Sequence, residues 1–239
     1  MRAGRISRRA SGLSGGNLLR GSLGLAVGLC AWWTGHADAQ NYVYPSSITI
    51  PNTTLLQGPA STYPAPITVS GAGTTLTNLT VTFNNLSHAY PDDLDILLVG
   101  PGGQNVLLMS DSGGYFSIAN LTLTFSDSAT GFLGDESQLV SGTYKPTNYD
   151  ANFMVDSFAA PAPTSGPYGS TLSAFNGTNP NGVWSLYIID DTQGNNGVMA
   201  GGWSMNIAAV PEPSTFALGA FVLAGTGAVY ARRRARKLA

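Results

Sequence analysis

Cysteine is almost absent from this 239-residue chain, and the single one, Cys30, lies near its start. Thiol nucleophiles, disulfides and cysteine-ligated zinc are therefore excluded from everything downstream. Histidine is nearly as scarce, with His36 and His88 only. Basic side chains are missing from the middle of the chain. Arg2, Arg5, Arg8, Arg9 and Arg20 crowd the start, Arg232, Arg233, Arg234, Arg236 and Lys237 crowd the end, and Lys145 stands alone between them. The acids follow the opposite distribution: Asp92, Asp93, Asp95, Asp111, Asp127, Asp135, Glu136, Asp150, Asp156, Asp190, Asp191 and Glu212 all lie between Gln40 and Pro213. The formal net charge of −2 therefore hides a strongly acidic centre. Such a surface argues against nucleic acid and anionic membranes as partners. A sustained helical period is also missing from this central stretch.

What is present at the two ends reads as addressing. The N-terminal arginines precede an apolar, small-residue run from Gly21 to Trp33, and Ala37-Asp38-Ala39 then supplies an A-x-A cleavage pattern. This is the layout of a signal peptide over residues 1–39, cut by signal peptidase to leave Gln40 first. Ser7-Arg8-Arg9 lacks the bulky apolar pair of a twin-arginine signal, and Leu29 before Cys30 does not suit lipoprotein attachment. At the other end, Pro211-Glu212-Pro213 precedes an apolar run from Thr215 to Ala231 and then the basic cluster. As a helix that run would reach roughly 25 Å, just short of a hydrocarbon core. The basic cluster would hold its far end on the cytoplasmic side, as one C-terminal transmembrane helix. The order of motif, short apolar helix and arginine cluster over 210–239 resembles the PEP-CTERM sorting signal. That resemblance implies an exosortase as processing partner, transient anchoring in the inner membrane, and delivery to the cell surface or extracellular matrix.

Between the ends, residues 40–209 have the size of one domain. Leu79–Phe83 and Leu121–Phe125 alternate apolar with polar, and Leu94–Val99 and Val106–Met109 flank the turn residues Pro101-Gly102-Gly103-Gln104. Val183–Ile189 is denser in apolar residues, as a central strand covered on both faces would be, and Trp203, Met205 and Ile207 alternate again. The pattern predicts an all-β fold, a β-sandwich of jelly-roll type, with Pro161–Gly169 as a surface loop.

Two segments then resemble the P domain (P/Homo B). One is His88-Ala89-Tyr90-Pro91-Asp92-Asp93-Leu94-Asp95 with Leu97-Leu98-Val99-Gly100-Pro101-Gly102-Gly103. The other is Phe175-Asn176-Gly177 with Asn181-Gly182-Val183-Trp184-Ser185-Leu186 and Asp190-Asp191, closed by Gly197, Gly202, Trp203 and Ser204, with Met205 where leucine is usual. The likeness extends over roughly Ile48 to Ile207. It implies a jelly-roll module of the kind that follows the catalytic domain in subtilisin-like proprotein convertases, with His88 structural and calcium bound near the Asp-Leu segment. The subtilisin domain itself would need several hundred further residues.

Chemistry is narrowed by the same scarcities. After signal removal any Ser-His-Asp arrangement must use His88, and no G-x-S-x-G elbow remains beyond residue 39. A glycosidase needs two carboxylates facing across a cleft, whereas Asp92-Asp93 and Asp190-Asp191 are adjacent pairs. A hard divalent cation suits the acids better. Asp93 and Asp95 share a face if both lie in a strand, and the hairpin returns Asp111 beside them. An even-length turn sets Asp111 opposite Leu94, and a one-residue bulge sets it opposite an aspartate. Asp92, Asp93, Asp95 and Asp111 are thus the candidate Ca2+ ligands, with Asp190 and Asp191 as a weaker second set. The alternative is that these acids are solvated turn residues that keep the protein soluble. Trp184 and Trp203 read as core, and Tyr42, Tyr44, Tyr63, Tyr115, Tyr144, Tyr149 and Tyr168 as loop residues suited to a carbohydrate or peptide surface.

The expectation is a non-catalytic binding or structural module, stabilised by calcium, whose further partner is an exopolysaccharide or another surface protein. The alternatives are an accessory module of a separate subtilisin-like serine endopeptidase, and a hydrolase built on the paired carboxylates.

Overall fold

The computed structural model describes residues 38–51, 58–149, 156–164 and 166–210, with the isolated positions Gly225, Tyr230, Arg234 and Arg236. The expected signal peptide and the expected membrane helix lie outside the described residues, apart from Asp38, Ala39, Val210 and those four positions. Among the described residues no helix is long and apolar enough to cross a membrane.

The described residues form β1 (Asp38–Tyr44), β2 (Ile48–Ile50), β3 (Gly58–Pro59), β4 (Ala65–Val69), β5 (Thr75–His88), β6 (Leu94–Val99), β7 (Asn105–Ser110), β8 (Ile118–Phe125), β9 (Gly142–Tyr144), β10 (Thr147–Asn148), β11 (Gly182–Asp190), β12 (Gly197–Met199) and β13 (Trp203–Val210). All the segments expected from alternation fall inside strands. The missed strands are short, such as β2 and β12, or begin in the expected signal, as β1 does.

Two open sheets result. In the first, β1 pairs with β13, β13 and β12 both pair with β5, β12 also pairs with β2, and β8 lies on the other side of β5 with β9 beyond it. In the second, the order is β10, β7, β6, β11, with β3 and β4 sharing the outer side of β11. Their facing side chains meet in one buried cluster: Val81, Phe83, Met205 and Ile207 from the first sheet reach Leu94, Ile96, Leu98 and Leu186 from the second. Each such aliphatic side chain taken out of water contributes about 1.5–3 kcal/mol. Trp184 and Trp203 are fully buried in this core, and the Trp184 indole N–H donates to the carbonyl of Pro180 at 2.8 Å.

The outer face of the second sheet is covered as well. Leu97, Leu107, Tyr187 and Ile189 point outward from it and are packed under Phe158 and Ala162, with Tyr63 and Tyr168 at the margin. The Pro161–Gly169 stretch is therefore a cover over the sheet and not only a surface loop. This explains why β11 is apolar on both faces: one face meets the core and the other meets this cover.

One strand irregularity positions the site. The β6–β7 hairpin pairs Val99 with Asn105, Leu98 with Val106 and Leu97 with Leu107, but then Ile96 with Met109. Leu108 is the extra residue, and Leu108 and Met109 both enter the core. Beyond the bulge the register brings Ser110 opposite Asp95, both on the covered outer face.

Candidate metal centre

The proline at the start of Pro91–Asp93 begins a 3-10 turn, so Asp92 and Asp93 do not belong to β6. The expected shared face of Asp93 and Asp95 is lost. Asp93 accepts from the Asn195 amide at 2.7 Å, while Asp95 is turned to β7 and accepts from the Ser110 hydroxyl at 2.8 Å. For Asp111 the register follows one of the two expected alternatives: with Ile96 opposite Met109, Ser110 stands against Asp95 and Asp111 is next in register, level with Leu94. Asp111 follows with a left-handed backbone, φ +48°, and this reversal returns its carboxylate to the same hydroxyl at 2.8 Å.

A third carboxylate arrives from the loop that covers the sheet: Oδ1 of Asp156 lies 2.9 Å from Ser110 Oγ. Its other oxygen accepts from the Asn148 amide at 2.9 Å. Ser110 is fully buried and Asp95 is 3% exposed. One hydroxyl carries one proton and can donate to one of these three oxygens only. The other two close oxygens need a proton or a cation to be stable there.

The protonation equilibria report the same crowding. Burial pushes the Asp95 carboxyl well above its ordinary range, and the charge of Asp156 adds to the push against the opposing Ser110 hydrogen bond. Burial lifts Asp111 to about 6, again opposed by Ser110 and reinforced by Asp156, Asp191 and Asp92. Asp191 is raised by burial, with Asp190, Asp156 and Asp92 adding to it against a Thr192 hydrogen bond. Asp92 itself accepts from the Gly114 N–H at 3.3 Å.

Ligand-capable oxygens of Asp95, Asp111 and Asp156 all lie within 4.8 Å of one another. Calcium–oxygen bonds of about 2.3–2.6 Å allow oxygens on opposite sides of one ion to stand roughly 5 Å apart, so the set fits this hard cation. The sequence pointed to Asp95 and Asp111. It missed Asp156 and Ser110, because neither carries a local pattern: Asp156 arrives from a separate loop, and Ser110 acquires its role through the bulge.

Asp190 has a different environment. It is fully buried at the end of β11, where its Oδ2 lies 3.2 Å from Nε2 of His88 on β5. That is an ion-pair distance, although neither atom is in a well-angled hydrogen bond. The other ring nitrogen of His88 is 2.7 Å from the carbonyl of Tyr90. Both imidazole nitrogens face acceptors, which is the geometry of a structural tie between sheets. Asp93 joins this group: burial raises it to about 6, and the Asn195 hydrogen bond and His88 oppose the effect of Asp190 and Asp191. Gly197 closes against the ring, and a Cβ there would run into His88 and the Ser87 carbonyl.

A groove of about 830 Å3 lies beside the carboxylate cluster, with Phe132, Lys145, Tyr149, Asp156 and Tyr168 among its lining residues. The Lys145 ammonium sits 5.5 Å from the centre of the Phe132 ring. Of the tyrosines expected in loops, Tyr42 and Tyr44 belong to β1 and Tyr144 to β9, whereas Tyr115 is 65% exposed and stacks on Phe116.

Comparison with known proteins bears on the whole domain. The family model for the proprotein convertase P-domain matches residues 76–207, and that for the PEP-CTERM protein-sorting motif matches 209–234. No curated protein matches the chain. Among solved structures, it is similar to a serine protease of Aeromonas sobria in complex with its chaperone, at 15% identity and a TM-score of 0.35. The same protease solved without that chaperone gives 15% identity and a TM-score of 0.30. Each match covers 72% of this chain and 26% of the solved chain, so this protein spans about a quarter of its length.

Proposed function

The chain belongs to the proprotein convertase P-domain family and carries a PEP-CTERM protein-sorting motif, and from that premise we propose that it is a non-catalytic, calcium-stabilised jelly-roll module. In this reading it is exported by its signal peptide, sorted by an exosortase, and retained at the cell surface or in the matrix as a binding or structural component. The observation that carries it is the convergence of Asp95, Asp111 and Asp156 on the single hydroxyl of Ser110. These three acids come from β6, from the residue after β7, and from the covering loop. A cation held among them would join two parts of the chain that are distant in sequence and would stabilise the folded form alone.

Calorimetric titration of calcium into chelator-treated protein tests this. Saturable binding that Asp95→Asn and Asp156→Asn lose supports it, and heat indistinguishable from dilution sinks it. The neighbouring groove, with its aromatic side chains, is where we place contact with a neutral exopolysaccharide or another surface protein.

Family membership also favours a second reading, an accessory role beside a separate subtilisin-like serine endopeptidase. Co-purification of a protease activity with the chain would favour that alternative.

A further inference from the structure

The two addressing segments meet on one strand pair. β1 runs antiparallel to β13 with Asp38 opposite Ala209, Ala39 opposite Ala208 and Gln40 opposite Ile207. Asp38 and Ala39 belong to the A-x-A stretch before the expected cut, and Ala208 to Val210 lead directly into Pro211-Glu212-Pro213. The strand that ends at the sorting motif is therefore covered, over its final turns of the ladder, by the residues that signal peptidase would remove.

The other side of β13 holds this end less regularly. Ala208 pairs with Asn78 but Ala209 pairs with Leu76, so the ladder with β5 skips a residue there. The skipped Thr77 uses its hydroxyl to bond the Ala208 carbonyl at 3.0 Å. A bulge weakens local pairing, which leaves the β1 side as the regular half of the clamp. An enzyme that acts on a peptide segment needs it extended with backbone groups free, as in strand addition. With Asp38 and Ala39 in place, the approach to the motif is paired on both sides.

We propose that Asp38 and Ala39 latch the strand leading into the sorting motif, and that leader removal is the reaction that opens it. Signal peptidase adds water across the Ala39–Gln40 peptide bond, leaving a carboxylate on Ala39 and an amino group on Gln40. β1 then begins at Gln40, opposite Ile207, and Ala208 and Ala209 lose their partners on that side. The order is set by synthesis: β13 is the last strand exported, so the peptidase meets Ala37–Gln40 before β13 exists to pair with it. A chain that escapes leader removal closes the latch and is a poor substrate for the second processing step. The inference rests on the export and sorting reading given above.

The test uses the full chain in cells that make the exosortase, following loss of the leader and the tail by mass. Wild type is compared with Ala39→Leu, whose larger side chain blocks the peptidase and is tolerated at this exposed strand position. A third chain adds a ten-residue Gly/Ser spacer between Val210 and Pro211 of Ala39→Leu. The expected result is tail loss slowed roughly tenfold or more in Ala39→Leu, from the two or three retained backbone hydrogen bonds, and restored by the spacer. Tail loss at the wild-type rate in Ala39→Leu overturns the latch. Failure of the spacer to restore it also overturns the latch, since the retained leader would then act through location and not pairing. A wild-type chain that loses its leader but keeps its tail overturns the sorting reading itself, and the latch with it.

Discussion

Nε2 of His88 stands 3.2 Å from Oδ2 of Asp190, and both side chains are shut off from solvent. His88 ends β5 in the first sheet and Asp190 ends β11 in the second, so this contact ties the sheets at their acidic end. Removing one partner leaves a buried polar atom of the other without compensation, at a cost of about 1–3 kcal/mol. His88→Ala and Asp190→Ala should each lower the unfolding free energy by that much, read as a fall in the denaturant midpoint. The double variant should cost clearly less than the sum of the two. Additive losses would show that the two side chains do not depend on each other.

At neutral pH the carboxylate cluster should make the sign of a substitution depend on calcium. Without metal, Asp95→Asn removes a buried acid crowded by Asp156, Asp191 and Asp111 and should raise the melting temperature. With calcium at a hundred times its Kd, wild type gains about 2.7 kcal/mol, and the variant should lose most of that gain. Melting curves of both proteins with chelator and with millimolar calcium should therefore cross. A variant that is less stable in both conditions would argue against a cation site.

Metal-free protein should lose stability as pH rises through the window from 3.8 to about 6, the ordinary and folded values for Asp93 and Asp111. Both groups hold their protons more tightly in the folded state, so their contribution is present below the lower value and gone above the upper one. Thermal scans in chelator at pH 5 and pH 7.5 check this, and calcium should narrow the difference. A metal-free protein more stable at pH 7.5 would show that other groups outweigh these two.

Gly202 has φ +65°, and a Cβ there would strike the carbonyl of Tyr44 at the end of β1. Gly202→Ala therefore combines an unfavourable backbone region with a clash against the main chain. The expected loss exceeds about 1 kcal/mol, the scale on which a compatible alanine would have stabilised instead. Amide exchange in β1 should rise with it, because among the described strands β1 pairs with β13 alone.

The sequence by itself determined the all-β fold class and carried the family likeness and the sorting motif. Alternation at Leu79–Phe83, Leu121–Phe125 and Trp203–Ile207 is a local property, and strand geometry converts it directly into one buried face. The dense run Val183–Ile189 announced a strand covered on both sides, and the residues around His88–Asp95 and Gly182–Leu186 carried the family likeness. The tertiary structure alone decided which acids share a site. A single extra residue at Leu108 put Ser110 in place of Met109 opposite Asp95, and a 3-10 turn at Pro91 sent Asp93 to Asn195 and His88. Asp156 entered because its loop covers the outer face of a sheet, and Asp190 left to pair with His88 across the sandwich. Periodicity determines the face a residue occupies within its own strand. Its neighbours across a bulge, under a loop or in the opposite sheet follow from register and packing, which no local pattern records.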